Sequence, residues 1–237
     1  IQVNNDDLAT WAIDEQRSAA TRAAVLQLLA SRQATQTAPL IRQFLSSDDA
    51  ELRMVARELL ASIDPDAAVA SIQQLTHRAA STTSELQAGI RLLSSLARPD
   101  ADSLIASALR QLLHPNAASA QKWPRIDELE LDIVEAAAQR NSGPIGELVA
   151  QYRKAVEAAS GSDSLAKFRP AIAGGNAEAG RSIFTGHRKA QCLRCHRING
   201  LGGDAGPDLT KVAERSRGDR EFLLESLINP HARLARG

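Results

Sequence analysis

Residues 51–75, ELRMVARELLASIDPDAAVASIQQL, set the fold class. Leu52, Val55, Ala56, Leu59, Leu60 and Ile63 stand at offsets of 0, 3, 4, 7, 8 and 11. That spacing puts all six on one face of a helix and matches no alternating strand. Asp64-Pro65-Asp66 ends the helix, and residues 67–75 start another with Pro and Asp at its entrance, where a missing N–H and an acidic group are both favourable.

The pattern returns at a constant offset of 34: Glu51-Leu52, Leu59, Pro65-Asp66-Ala67 and Leu75 recur as Glu85-Leu86, Leu93, Pro99-Asp100-Ala101 and Leu109. Looser helix pairs cover 19–30 with 38–45, and 126–140 with 144–156. Four such pairs read as an α-solenoid, in which each pair buries its apolar face on its neighbours. The Leu52-Arg53-x-x-Ala56 core followed by a Pro-Asp turn resembles HEAT repeats, over about 150 residues.

Composition bounds the rest. Of 237 residues, 43% are hydrophobic and 3% aromatic, which supplies real cores and excludes a disordered chain. No apolar run approaches the roughly 18 residues of a membrane span. Lys and Arg balance Asp and Glu at 28 each, which speaks against a general nucleic-acid or anionic-membrane binder. Ala and Leu let paired helices approach closely, so rings are sparse; Trp11, Trp123 and Tyr152 are expected in the core, and so is Met54, the single methionine. Gly89, inside a helical face, is expected at a close helix contact.

The chain changes character near residues 160–174. Ten of fourteen glycines fall in 174–237, where eleven Lys and Arg face seven Asp and Glu; the remainder has seventeen against twenty-one. A neutral whole thus hides an acidic part and a basic part. The expected organisation is all-α: a HEAT-like solenoid over 1–158, a connector over 159–173 whose Phe168 packs on a neighbour, and a small domain over 174–237. The chain opens on Ile1 and a polar stretch without a signal-peptide pattern, which reads as a processed or internal piece of a longer protein.

Both cysteines lie in Gln191-Cys192-Leu193-Arg194-Cys195-His196. C-x-x-C-H is the attachment signature of c-type haem: two thiols a short turn apart reach the two vinyl groups of one porphyrin edge, and the adjacent His196 can ligate the iron. Other uses of the pair are a thioredoxin-like redox centre, which wants a βαβ setting, a local disulfide, and a zinc site, which would need two of His187, His196 and His231. The Gly200 to Gly206 stretch lacks the Lys-Ser/Thr of a phosphate loop and reads as an irregular loop letting backbone pass close to a haem.

Gly206-Pro207-Asp208-Leu209, about ten residues past His196, resembles the corresponding mark of class I cytochromes c. That resemblance implies a hydrogen bond from the His196 imidazole to the Pro207 carbonyl and places Leu209 in the haem pocket, with Phe184 at the haem edge and Gly180 at a close helix crossing. The wider string resembles the haem-binding domain of the planctomycete and verrucomicrobial type: Gly175, Gly180-Arg181, Phe184, the cysteine motif, Gly202-Gly203, Gly206 to Thr210, and Leu224 to Pro230. Those domains commonly follow HEAT-like repeats in large exported proteins, many of them with a propeller resembling sugar or alcohol dehydrogenases. The resemblance implies one covalent haem c, an exported or periplasmic location, and a redox partner protein or a dehydrogenase domain of the parent chain.

The family's distal methionine, in a late Met-Pro, has no counterpart here, so the haem domain is expected to be incomplete at its C-terminus. His231, after a helix over 220–228 whose Phe222, Leu223, Ser226 and Leu227 face the pocket, is the candidate distal ligand, and His187 lies too near Cys192 to reach the far face. His77 and His114 belong to the solenoid. Arg188, Lys189, Arg194 and Arg197 ring the attachment site, either as a rim for haem propionates or an acidic partner, or as solvated charge. The expected function is an electron-transfer module, itself not catalytic; the other reading is a HEAT-repeat interaction scaffold with a haem-based redox or gas sensor.

Overall fold

The computed structural model describes residues 3–78, 80–117, 122–140 and 143–230. It is mostly helical and divides into two compact units, Ile1–Ala155 and Val156–Gly237. The division falls inside a helix, three residues before the expected end of the solenoid at 158.

In the first unit, α1 (Asn5–Ile13) and α2 (Ala19–Phe44) begin at Asn4 and Ser18, whose side chains accept from backbone N–H groups of the first turn. The expected pair 19–30 and 38–45 is one run, interrupted at Gln33 (φ −152°, ψ 64°). The Thr37 hydroxyl donates to the Gln33 carbonyl at 2.8 Å there. Helix α3 (Ala50–Ile63) ends at Asp64, whose carboxylate caps α4 (Pro65–Leu75) by accepting from Ala67 N–H. The proline sits at the first helical position, where its missing N–H costs nothing. The repeat keeps only the proline at the first helical position, at Pro99, where Arg98 gives no side-chain cap and three residues separate the helices: α5 (Thr83–Ser95) is followed by α6 (Pro99–Leu113), then α7 (Glu130–Ala138) and α8 (Gly143–Ser160).

Successive helices pack as layered hairpins. Helix α3 lies against α5 and α5 against α7, while α4 lies against α6. Charged groups also cross the layers: Arg98 pairs with Asp66, Arg91 with Asp132 at 2.9 Å, and Arg140 with Asp102 at 2.8 Å. Two apolar clusters fill the interior, one of α1 to α4 residues around Leu26, Ile41 and Leu52, the other of α4 to α8 residues around Ile90, Leu109 and Ile133. Trp123 is buried in the second, its indole N–H donating to Ser107 Oγ. Trp11 and Tyr152 are only half-buried. Arg17 sits 4.9 Å from the Trp11 ring centroid, and the Tyr152 hydroxyl donates to Glu130; burial and then that carboxylate raise its pKa. A Cβ on Gly89 would stand 3.2 Å from Ile72 Cγ2 and 3.3 Å from Leu75 Cδ1, so the close helix contact is present.

The inward face of α3 differs from the expected one. Leu52, Ala56 and Leu60 are buried, but Val55, Leu59 and Ile63 are half-buried, and Arg53 and Arg57 take the interior places beside them. Met54 is half-buried at the edge rather than in the core. The cause is Glu85 on the next layer, whose side chain is fully enclosed. It receives Arg53 Nε and Nη2 at 2.7 and 2.6 Å and Arg57 Nη1 at 3.2 Å, and closes a capping box with Thr82 at the start of α5.

In the second unit the helices are α9 (Ala177–Gly186), α10 (Cys192–Cys195), α11 (Val212–Arg215) and α12 (Arg220–Ile228). The expected connector is not merely a linker: Ala166–Ile172 forms a 3₁₀ turn packed on α12 and tied to it by Arg169 to Glu221 at 2.7 Å. Phe168 is half-buried in that turn, under the Lys167 ammonium. A short antiparallel hairpin joins β1 (Arg197–Ile198) to β2 (Leu201–Gly202). Asn199 and Gly200 both have positive φ, the geometry of a two-residue hairpin turn, so Asn-Gly was a strand signal missing from the all-α expectation.

Burial opposes the Glu85 carboxylate, but the Arg53 hydrogen bonds, the Thr82 N–H and the two guanidinium charges outweigh it and hold its pKa at about 2. The folded form binds fewer protons than the unfolded one between about pH 4.5 and 2, so this contribution is complete above pH 4.5 and lost as pH falls through 2. Replacing Glu85 by Ala leaves two buried cations uncompensated and is expected to cost about 3 to 5 kcal/mol, with a drop in thermal midpoint on the order of 10 °C. Circular dichroism melts from pH 7 to 2 check both: in the variant the midpoint is low at pH 7 and its decline below pH 4.5 is shallower.

Candidate functional site

Helix α9 starts at Asn176, whose carboxamide oxygen accepts from Glu178 and Ala179 N–H. Phe184, near its end, is half-buried and lines a cleft of about 510 Å³ with His187, Arg188, Gln191, Leu193 and Arg194. The expected close crossing at Gly180 is not formed by the described residues: a Cβ there would meet none of them within 4 Å. His187 belongs to the turn between α9 and α10, accepting the Ala190 N–H at Nδ1 and, through its carbonyl, the Gln191 N–H.

Gln191 enters the left-handed region (φ 47°) and the chain then makes the single turn of α10, which puts Cys192 and Cys195 at i and i+3, on neighbouring positions of one face. Both are free thiols, Cys192 half-buried and Cys195 exposed. The turn closes with His196 N–H on the Cys192 carbonyl at 2.9 Å, and His196 leaves in extended geometry.

The glycine-rich loop folds back over this turn. Gly203 N–H donates to the Leu193 carbonyl and Gly206 N–H to the Cys195 carbonyl, at 2.9 and 2.7 Å. A Cβ on Gly202, at φ 115°, would lie 2.1 Å from the His196 carbonyl oxygen, and one on Gly203 would lie 2.2 Å from that of Arg194. No side chain fits at either place. The glycines at 202 and 203 thus let the loop approach the cysteine motif's own backbone.

His196 is the best-defined side chain of the site. Its Nδ1 lies 2.9 Å from the Pro207 carbonyl oxygen. A carbonyl only accepts, so Nδ1 carries the proton and the Nε2 lone pair is left for a ligand role. Gly206 lies against the ring, where a Cβ would come within 2.8 Å of Cε1 and Nδ1. Leu209, half-buried, is held by its N–H on the Arg197 carbonyl, and Thr210 Oγ1 accepts from Asn199 N–H at the hairpin turn. Hydrogen bonds from Thr210, and then the charges of Arg215 and Arg197, hold the Asp208 carboxyl below its ordinary pKa.

The structure thus brings Cys192, Cys195, His196, Gly206 and Pro207 together and ties Leu209 to Arg197 beside them. Phe184 lies in the adjoining cleft, whose described lining does not include the cysteines, His196, Pro207 or Leu209. On α12, Leu224 points inward and Phe222 and Leu223 are half-buried, but Ser226 and Leu227, expected towards the pocket, are exposed, Leu227 at 80%. Leu227 shares a helix face with Leu223 and Leu224, so the cover over this face ends before the last turn of α12. His231, the candidate distal ligand, lies outside the described residues. Among the described residues no three His, Cys, Asp or Glu side chains gather as a metal cluster, so a four-ligand zinc site on the cysteine pair is not assembled there. None of the described helices is long and apolar enough to cross a membrane.

Two features of this unit bear on whether a haem fits. Leu224 is its only buried side chain among the described residues, while Ile183, Leu201 and Leu227 are more than half exposed. In addition, the Nε of Arg197, next to the candidate iron ligand, is buried without a hydrogen-bond partner among the described residues, its Nη2 being taken by Asp204. A flat apolar group bearing carboxylates suits both the uncovered apolar surface and the basic edge.

Comparison of the chain with protein-family models, with curated proteins and with solved structures returns no match.

Replacing Gly206 by Ala is expected to displace the His196 ring and break its bond to Pro207. Ring-nitrogen NMR shifts at pH 8 check this: a single Nδ1–H tautomer for the native chain, and a tautomer mixture for the variant.

Proposed function

We propose that the second unit is a c-type cytochrome module carrying one covalent haem, with Cys192 and Cys195 as its thioether anchors and His196 as the proximal iron ligand. The observation that carries this reading is the His196 imidazole, fixed through Nδ1 by the Pro207 carbonyl and backed by Gly206, directly after the paired thiols. Holding the second nitrogen of a metal-binding histidine on a carbonyl sets its tautomer and raises its basicity. Haem bound there supplies a one-electron Fe(III)/Fe(II) couple. The chain's own residues would supply the geometry: α10 presents the thiols, the hairpin and glycine loop hold His196, and Arg197, Arg194 and Arg188 would offer positive charge to the haem's carboxylates.

The first unit is proposed as a HEAT-like solenoid that holds this module for electron exchange with a redox partner protein or a dehydrogenase domain of the parent chain. The layer-on-layer packing of α3, α5 and α7, with the cross-layer pairs of Arg98, Arg91 and Arg140, supports that part. Covalent haem attachment takes place outside the cytoplasm in the family resembled, so an exported location belongs to the same proposal.

Production of the full chain with c-type maturation machinery tests it. The expected result is a Soret band, a sharp α band on dithionite reduction, and haem that stays with the polypeptide in denaturant, all lost when Cys192 and Cys195 are both replaced by Ser. Absence of a Soret band in the native chain would overturn the proposal. A five-coordinate reduced spectrum that shifts with CO would favour gas or redox sensing on the scaffold over electron transfer.

A further inference from the structure

The buried charges behind α3 do not balance. Arg53 takes both oxygens of Glu85 and donates through Nη1 to the Ser47 and Asp48 carbonyls at 2.7 and 2.8 Å. Arg57, 5% exposed, keeps a single 3.2 Å bond to the same carboxylate, and its Nε is buried with no hydrogen-bond partner among the described residues. Two guanidiniums therefore share one anion. Burial lowers the Arg57 pKa, the charges of Arg53 and Arg78 push the same way, and Glu85 offsets this in part. A guanidinium stays charged at any ordinary pH, so the surplus is not relieved by loss of a proton.

Arg57 also lines a cavity of about 260 Å³ between the end of α2, α3 and α4. Its polar wall is Arg57, Ser71, Gln74, His77 and Arg78, with Leu45 at one side. The Ser71 hydroxyl proton is committed to the Ala68 carbonyl. The remaining polar groups all carry donors, and among the described residues no carboxylate lines the cavity and none pairs with Arg78. A concave site with two guanidiniums, an amide and an imidazole, backed by a buried excess of positive charge, has the chemistry of an oxyanion receptor.

We infer that this cavity binds a carboxylate or phosphate group, seated between Arg57 and Arg78 and within reach of Gln74 and His77. Its size suits a small acid or one acidic side chain rather than a nucleotide. The site lies wholly in the first unit and stands independently of the haem proposal.

Calorimetric titration of the full chain with sodium phosphate, disodium succinate or a capped Asp-containing tripeptide, each at ionic strength matched with NaCl, tests it. Saturable binding of at least one probe is expected, weakened about tenfold in Arg78→Gln, a substitution at a half-exposed position that leaves the far-ultraviolet dichroism unchanged. Binding of phosphate or succinate alone assigns the site to a free small anion, and binding of the peptide assigns it to an acidic side chain. No saturable binding beyond the NaCl response, or equal affinity in Arg78→Gln and His77→Ala, overturns the inference.

Discussion

The Glu85 carboxylate is asked to do three things at once in the first unit. It closes the capping box that starts α5, it neutralises Arg53 from the preceding layer, and among the described residues it makes the only bond that Arg57 has to an acid. Enclosed charge is expensive unless paired and hydrogen-bonded, so the register of α3 against α5 is fixed by where this one group can meet its partners. Apolar burial supplies the attraction between layers but is non-directional. The ion pairs of Arg91, Arg98 and Arg140 repeat the same kind of link between layers with at least one partner partly in water, where a pair contributes less than an enclosed one.

The second unit is built on the opposite principle. Among its described residues only Leu224 is buried, and the glycine loop is held to the cysteine turn by backbone bonds, with Asn199-Gly200 reversing the chain between them. Such a frame holds His196 in one orientation while leaving apolar side chains uncovered. A scaffold of that kind gains stability from whatever it binds, because a ligand taken up only by the folded form shifts the folding equilibrium towards it. That is the physical sense in which the proposed haem would be both cofactor and core.

Much of the helical arrangement was legible in the residues. The 34-residue recurrence located α3 to α6, the Pro-Asp turns marked their junctions, and α12 lies where its pattern put it, because apolar spacing and caps are local properties. The inward face of α3 was misread because Arg53 and Arg57 look solvent-facing until Glu85, 28 to 32 residues on, is known to be opposite. Gly180 and Leu227 failed for a related reason, since spacing states which residues share a face but not what lies across from it. The hairpin has a local signal in Asn199-Gly200, but its two-residue strands carry no periodicity.

The sequence by itself determined the helical class, the repeat, the paired thiols with their adjacent histidine, and the glycines that follow them. These depend on interactions within a few residues or on a fixed spacing. Only the tertiary structure decided that His196 donates to Pro207, that Gly206 has no room for a Cβ beside it, that Glu85 serves two arginines, and that no acid among the described residues lines the cavity by Arg57. Each of these rests on groups distant in the chain that meet within a few ångströms, and it is at that range, with water excluded, that charge and hydrogen bonding become specific.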